Sequence, residues 1–499
     1  MEIIIIKAGH IEMTILNIFR MVRLKEVAGM LTYSFADLGS DSLYEHLYKC
    51  IKNDIINGIL KVGDKLPSKR NFAKNLDIST ITVENAYSQL IAEGYIYSIP
   101  KRGYFVSDIS AMERNDRDIP RIKTEDVELK KMEHPVNDCF ADFVSNRNLP
   151  KNFPFSIWAK LTRELMSEEG AALMAIPPAG GIPELRNAIA EYMYQFRGMR
   201  VDPEQIIIGA GTEYIYGLII QLLGSRSVFA VEEPGYKKIA KIYKSYNMEY
   251  RNVELDSQGI NVKALEDSGA NILHISPSHH FPTGIVTPIS RRYELLGWAS
   301  KSDDRYIIED DYDWEFRLQG NPIPSLKSID VMEKVIYINT FSKSLSSTIR
   351  ISYMILPHHL LERFHGRLGF YSCTVSNFEQ YTLARFISRG YFEKHINRQR
   401  NYYRTQRNTL LECINNSPLA EKVTIMEEDA GLHFLMKIDT KLSDRQLVRK
   451  AEDVGLRIAC LSQYYDKQSP EVEHILVMNY SGIDTEKIPE AVKRLCILI

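Results

Sequence analysis

Lys343 stands in Asn339-Thr340-Phe341-Ser342-Lys343-Ser344-Leu345, among hydroxyls, behind the apolar run Val335–Ile338 and seven residues before Arg350. A lone lysine is nearly always a surface residue; one set behind a buried strand is a candidate for imine chemistry with a carbonyl. Four other segments also follow apolar runs. Gly209-Ala210-Gly211-Thr212-Glu213 follows Ile206–Ile208 and opens a helical run. There, exposed N–H groups and the helix dipole form an anion site, although such a turn alone also reads as a tight connection. Glu232-Glu233-Pro234-Gly235-Tyr236 follows Val228–Val231 and brings an aromatic. Glu309-Asp310-Asp311-Tyr312-Asp313 follows Tyr306–Ile308. Four acids so close repel one another, so the segment is either a solvated turn or has a cationic partner. Ser276-Pro277-Ser278-His279-His280-Phe281-Pro282-Thr283-Gly284 follows Ile272–Ile275. Adjacent histidines do not share one face, so they read as hydrogen-bonding or packing groups, and no metal site is expected. Together these segments supply a lysine for an imine, an acid for a ring nitrogen, a phenol for a ring oxygen, a stacking aromatic and an anion cup. That is the set pyridoxal 5'-phosphate requires.

Such groups need a scaffold that brings them together. Over residues 137–499 strand-like runs alternate with helical ones, the pattern of an α/β layer fold, in which chemistry gathers at the carboxyl ends of strands. A smaller module occupies residues 38–108. Leu43, Leu47, Cys50, Ile51 and Ile55 recur at helical spacing before Gly58, Ser68 caps a short helix through Leu76, and Ser79 caps a third. Val83, Ala86, Tyr87, Leu90 and Ile91 form the expected buried stripe of that third helix. Tyr95–Ile99 and Tyr104–Val106 flank the basic tip Pro100-Lys101-Arg102-Gly103. This is a winged helix-turn-helix pattern or, more blandly, a small accessory domain. In the first case Ser79, Thr80 and Thr82 face the major groove, while Lys69, Arg70, Lys101 and Arg102 neutralise phosphates. Residues 109–136 alternate charges and read as a solvated tether. Residues 1–37 form an N-terminal extension. Residues 1–29 read either as an extra strand or frayed tail or, since Lys25-Glu26-Val27 can be encoded by a ribosome-binding sequence placed before Met30, as a leader ahead of a true start at Met30.

The stretch KLPSKRNFAKNLDISTITVENAYSQLIAEGYIYSIPKRGYFV resembles the DNA-binding domain of the GntR family. One departure is Thr80, where that family usually carries Arg or Lys, which leaves the operator sequence open. The large module resembles the fold-type-I aminotransferase domain in the order and spacing of its motifs. The resemblance implies that Lys343 is the Schiff-base lysine, Arg350 the phosphate arginine, Asp310 the partner of the pyridine nitrogen and Tyr312 the phenol near the ring oxygen. It also makes Tyr236 the stacking ring and places Gly211, Thr212, Glu213 and Ser342 in the phosphate cup. The two parts together, with PSHHFPTG and EDDYDWEF, are similar to the MocR family of bacterial transcription regulators. That family implies a head-to-tail homodimer, a double-stranded DNA operator, and a signal that is pyridoxal phosphate or an amine forming an external aldimine with it. The alternative is a working aminotransferase with an accessory head. Phe281 stands where aminotransferases usually have Asn, and the strand Ile475–Tyr480 lacks their usual Arg. A guanidinium is the natural clamp for an α-carboxylate, so its loss argues against efficient transamination beyond residual half-reactions.

Composition agrees with this organisation. The chain has 499 residues, too many for one ordinary domain, and its net charge of −2 requires any nucleic-acid contact to be a local basic patch. Six cysteines lie far apart with no CxxC pair, which excludes the common zinc modules and suits a reducing cytoplasm. No apolar run approaches the roughly 18 residues needed to span a bilayer.

Overall fold

A computed structural model describes residues 31–35, 41–109, 139–146, 148–318, 323–428, 431–466 and 472–498. The expected leader, the Met30 start, and all of the 109–136 tether beyond its first residue lie outside the described residues. The chain divides into two units between His134 and Pro135.

The smaller unit runs α1 (Leu43–Ile56), β1 (Lys65–Leu66), α2 (Lys69–Leu76), α3 (Thr80–Ala92), β2 (Ile96–Ile99) and β3 (Gly103–Val106). Ser68 caps α2 by accepting the Asn71 N–H at 3.3 Å, and Ser79 caps α3 by accepting that of Thr82 at 3.0 Å. Both satisfy donors that a helix start would otherwise leave unpaired. The strands form one antiparallel sheet in the order β1-β3-β2; two residues of β1 are too short a run to show as a strand in the sequence. Leu47, Ile51, Phe72, Val83, Ala86, Tyr87 and Leu90 make the core. Ile91, expected in the stripe, is instead exposed, because it lies at the margin of the apolar arc. Leu31, Tyr33 and Phe35, which the sequence places in the extension, pack against this core, and the Tyr33 hydroxyl donates to Asp54 at 2.7 Å.

The larger unit is built on an eight-stranded sheet. Its strands are β5 (Ile206–Gly209), β6 (Val228–Glu233), β7 (Glu249–Asp256), β8 (Gly259–Ile260), β9 (Ile272–Ile275), β10 (Tyr306–Asp310), β11 (Val335–Thr340) and β12 (Ser352–Ile355); β4 is the two-residue Ala141–Asp142 beside it in sequence. The order is β5-β12-β11-β10-β9-β6-β7-β8, parallel except for β12 and β8. Strands covered on both faces alternate their side chains between two apolar layers. Ile307 packs with Leu295 and Trp298, while Ile308 packs with Ile215, Tyr216 and Phe229. The parallel strands β5, β6, β9, β10 and β11 therefore end along one edge, and the five motifs follow those ends. A smaller sheet of β13 (Val423–Met426), β14 (His433–Ile438) and β16 (Ile475–Asn479) completes the unit, while β15 (Leu456–Arg457) pairs with β4.

Candidate functional site

The strand ends surround a cavity of ≈ 400 Å³. Lys343, Ser342, Asp310, Tyr312, Tyr236, Thr212, Glu213 and Arg350 all line it; Gly211 lies directly behind Arg350. Each has a local cause. β11 runs into the one-turn helix Phe341–Ser344, whose cap is Thr340 accepting the Ser342 N–H at 3.1 Å, and Lys343 leaves that turn toward the cavity. Its amine sits 3.5 Å from the Asn146 carbonyl. Burial pushes the Lys343 ammonium down to about 8, against the opposing charges of Asp313 and Asp310. Such an amine is free of its proton far more often than a surface lysine.

β10 and the turn after it carry the acids, and each acid has at least one partner. Asp310 and Tyr312 line the cavity; Glu309, Asp311 and Asp313 do not. Glu309 meets Arg292 at 3.4 Å and accepts the Leu326 and Lys327 N–H groups, while Asp311 pairs with Arg197 and accepts the Tyr337 hydroxyl at 2.9 Å. Asp313 meets His279 at 3.0 Å. Between the two readings of this segment, a solvated turn and a run with cationic partners, the structure selects the second. Against the burial that would raise it, Arg197 holds the Asp311 carboxyl below its usual range. Asp310 accepts the Tyr216 hydroxyl on Oδ2 and lies 3.8 Å from His274, which is itself held by the Tyr243 hydroxyl at 2.7 Å. Its other oxygen, Oδ1, is buried with no partner, and so is the Ser342 Oγ.

The anion cup lies at the start of α4 (Thr212–Leu223). Gly211 has φ of +91°, and a Cβ there would stand 2.5 Å from the Arg350 guanidinium, so only glycine lets that group lie against the turn. Glu213, expected among the phosphate-holding residues, places its carboxylate on Arg350 at 2.7 Å and on Lys238. Its backbone N–H suits an anion, but its side chain does not. Tyr236 is half exposed at the mouth, edge-on to Phe281 at 6.1 Å. The Tyr312 hydroxyl donates to the His279 carbonyl at 3.1 Å.

Of the further groups here, His280 was read from sequence only as a hydrogen-bonding or packing residue, and the others were not singled out. Glu232 lines the cavity, accepts the Ser276 N–H at 3.0 Å and is pushed up to about 8, chiefly by burial. His280 approaches Glu232 at 3.5 Å and bonds Thr283 at 2.6 Å; burial pushes it down to about 3, so the pair is neutral near pH 7. Tyr216, His274 and Asn146 also reach the cavity. Tyr216, a turn into its helix, and His274, inside a strand, sit where sequence carries no signal of this kind. The strand β16 brings no guanidinium, and among the described lining residues Arg350 is the sole arginine.

In the smaller unit Arg70, Thr80, Lys101 and Arg102 are exposed, with Lys101 at the wing tip in the left-handed region at φ +63°. The Ser79 hydroxyl meets Thr82 at 2.8 Å, so both are engaged in the cap. Lys69 pairs with Glu84 at 2.6 Å and must exchange that partner to reach a phosphate. Ile81, on the outer face of α3, is 68% exposed.

The residues present fit pyridoxal phosphate: a buried acid oxygen and a buried hydroxyl without partners, a lysine of depressed basicity, and a glycine-cleared anion cup share one cavity. Fold and cavity define a pyridoxal-phosphate domain of aminotransferase type, joined to a winged-helix head. Residues 142–495 match the aminotransferase class I and II family, and residues 43–106 match the bacterial regulatory proteins of the gntR family. The chain is 38% identical over 453 residues to an uncharacterized HTH-type transcriptional regulator, YdeL, of Bacillus subtilis (strain 168), covering 91% of this chain and 96% of that one. It is 29% identical to the probable rhizopine catabolism regulatory protein MocR of Rhizobium meliloti, over 91% and 93% of the two chains. In fold it is similar to the multiple substrate aminotransferase from Thermococcus profundus, with a TM-score of 0.64, 24% identity, and coverage of 76% and 95%. The chain belongs to the MocR-type family of transcription regulators, which joins these two parts. Among the described residues no helix is long and apolar enough to cross a membrane, and no cluster of His, Cys, Asp or Glu could hold a metal.

Proposed function

We propose that this regulator holds pyridoxal phosphate on Lys343 and reads an operator through α3 and the wing, the state of the cavity deciding how the heads of a head-to-tail homodimer are presented to DNA. Asp310 Oδ1 takes the ring nitrogen. Tyr312 and Tyr236 flank the ring, and Ser342, Thr212, Arg350 and the N–H groups of α4 take the phosphate. Bound there, the cofactor supplies an aldehyde that condenses reversibly with primary amines. Lys343, with its basicity lowered by burial, is the amine that holds it and yields to another. Asp310 is kept in place by Tyr216 and by His274, and the neutral Glu232–His280 pair adds no charge beside it. The observation that carries the reading is the pairing, in one cavity, of a buried lysine amine with a buried carboxylate oxygen that has no partner.

On the DNA side Arg70, Lys101 and Arg102 meet phosphates, and Thr80 meets bases. The site of action is the cytoplasm, where operator and cofactor are both present. Sustained transamination is not part of the reading: the lining guanidinium, Arg350, is committed to the anion cup. Footprints on the upstream intergenic DNA should differ with and without pyridoxal phosphate. Lys343→Ala should abolish both that difference and the visible absorbance of the lysine-bound cofactor. Identical wild-type footprints would remove the switch.

A further inference from the structure

The phosphate cup contains a carboxylate. Each oxygen of Glu213 holds one cation, Oε2 meeting Arg350 at 2.7 Å and Oε1 meeting Lys238. Both cations line the cavity together with Thr212 at the start of α4, and Gly211 is shaped to let the Arg350 guanidinium lie there. The two cations together keep Glu213 ionised. A phosphate entering this cup meets its own charge type. All three side chains are partly exposed, at 39% for Glu213, 46% for Arg350 and 47% for Lys238, so the carboxylate has solvent to swing into.

We propose that the Glu213 side chain is a resident anion of the phosphate cup, which the cofactor's phosphate must turn out in order to bind. This rests on reading the cavity as a pyridoxal-phosphate site. Cofactor capture is then an exchange of one anion for another, and affinity is set below that of an open cup. An affinity lowered in this way leaves the site responsive to changes in free cofactor, as a sensor requires; an enzyme gains nothing from it. Lys238 lies in the first turn of α5 (Lys237–Ser245), two residues beyond Tyr236, so release of Glu213 also frees a cation beside the ring at the cavity mouth.

The test uses the full chain stripped of cofactor and titrated with pyridoxal phosphate, followed by the visible absorbance of the lysine-bound form. Glu213→Gln keeps the shape and removes the charge; it should bind about tenfold more tightly, with the absorbance maximum unchanged. Inorganic phosphate titrated into the cofactor-free protein should likewise bind about tenfold more tightly to Glu213→Gln than to the wild type. Thermal unfolding separates this from a merely structural role. Without cofactor Glu213→Gln should melt below the wild type, because two cations lose their carboxylate; with saturating cofactor it should melt at or above it. Glu213→Ala carries the same expectations. Affinity equal to or weaker than the wild type in both variants overturns the proposal while leaving the cavity assignment intact. A wild-type protein with no visible band at any cofactor concentration overturns the assignment and the proposal with it.

Discussion

In the large unit Glu309, Asp311 and Asp313 are buried, and each meets a basic side chain delivered by another segment: Arg292, Arg197 and His279. In the head Arg70, Lys101 and Arg102 stand exposed around a helix start and a wing tip. The first arrangement fixes atoms for one small molecule, because buried charges are costly to leave unpaired and so hold a single geometry. The second suits a polyanion, whose regularly spaced phosphates need charge at the surface more than they need fixed geometry. One chain thus uses charge for precision in one place and for attraction in the other.

The sharpest way to break this contrast is Arg197→Met. It leaves Asp311 buried with the Tyr337 hydroxyl but no counterion, and should destabilise the large unit by about 3–5 kcal/mol. The chain's three tryptophans, Trp158, Trp298 and Trp314, all lie in that unit, so tryptophan fluorescence in a denaturant titration reads it alone. A midpoint unchanged from the wild type would show that the buried pairing is not structural. Next in size, replacing Lys101 and Arg102 together by Ala should lower the slope of log affinity against log salt by roughly 2 for each head that engages DNA, with stability and cofactor absorbance unaffected. A slope that does not move would take the wing off the DNA. The smallest effect is in pH. With Lys343 at about 8, the amine is protonated below that value and free above it. The rate of cofactor capture should therefore rise about tenfold between pH 7 and 9 and level off beyond. A flat profile would mean that proton loss from Lys343 does not govern capture.

Much of this was legible in the sequence. Ser68 and Ser79 announce helix starts by type and spacing, and the apolar runs at Ile272–Ile275 and Val335–Ile338 announce strands whose following residues line the cavity. Arg197 was not legible as the partner of Asp311: they are 114 residues apart, and only the packing of the helix Pro183–Arg197 against the sheet brings them together. Glu213 was read for its place in a glycine-rich turn, which gives the position of its backbone. The direction of its carboxylate depends on Lys238 and Arg350, which come from a helix start and a loop elsewhere in the chain. His280 was legible only as a hydrogen-bonding or packing group; that it meets Glu232 appears only once the neighbouring strand ends are side by side.

Strand β10 and the residues after it serve two masters in alternation, with Asp310 and Tyr312 turned to the cavity and Glu309, Asp311 and Asp313 to their ion pairs. Inserting or deleting a single residue between Tyr306 and Glu309 would exchange the faces of Glu309 and Asp310, turning the first toward the cavity and the second toward Arg292. Point changes here degrade the site by steps, whereas a change of length inverts it.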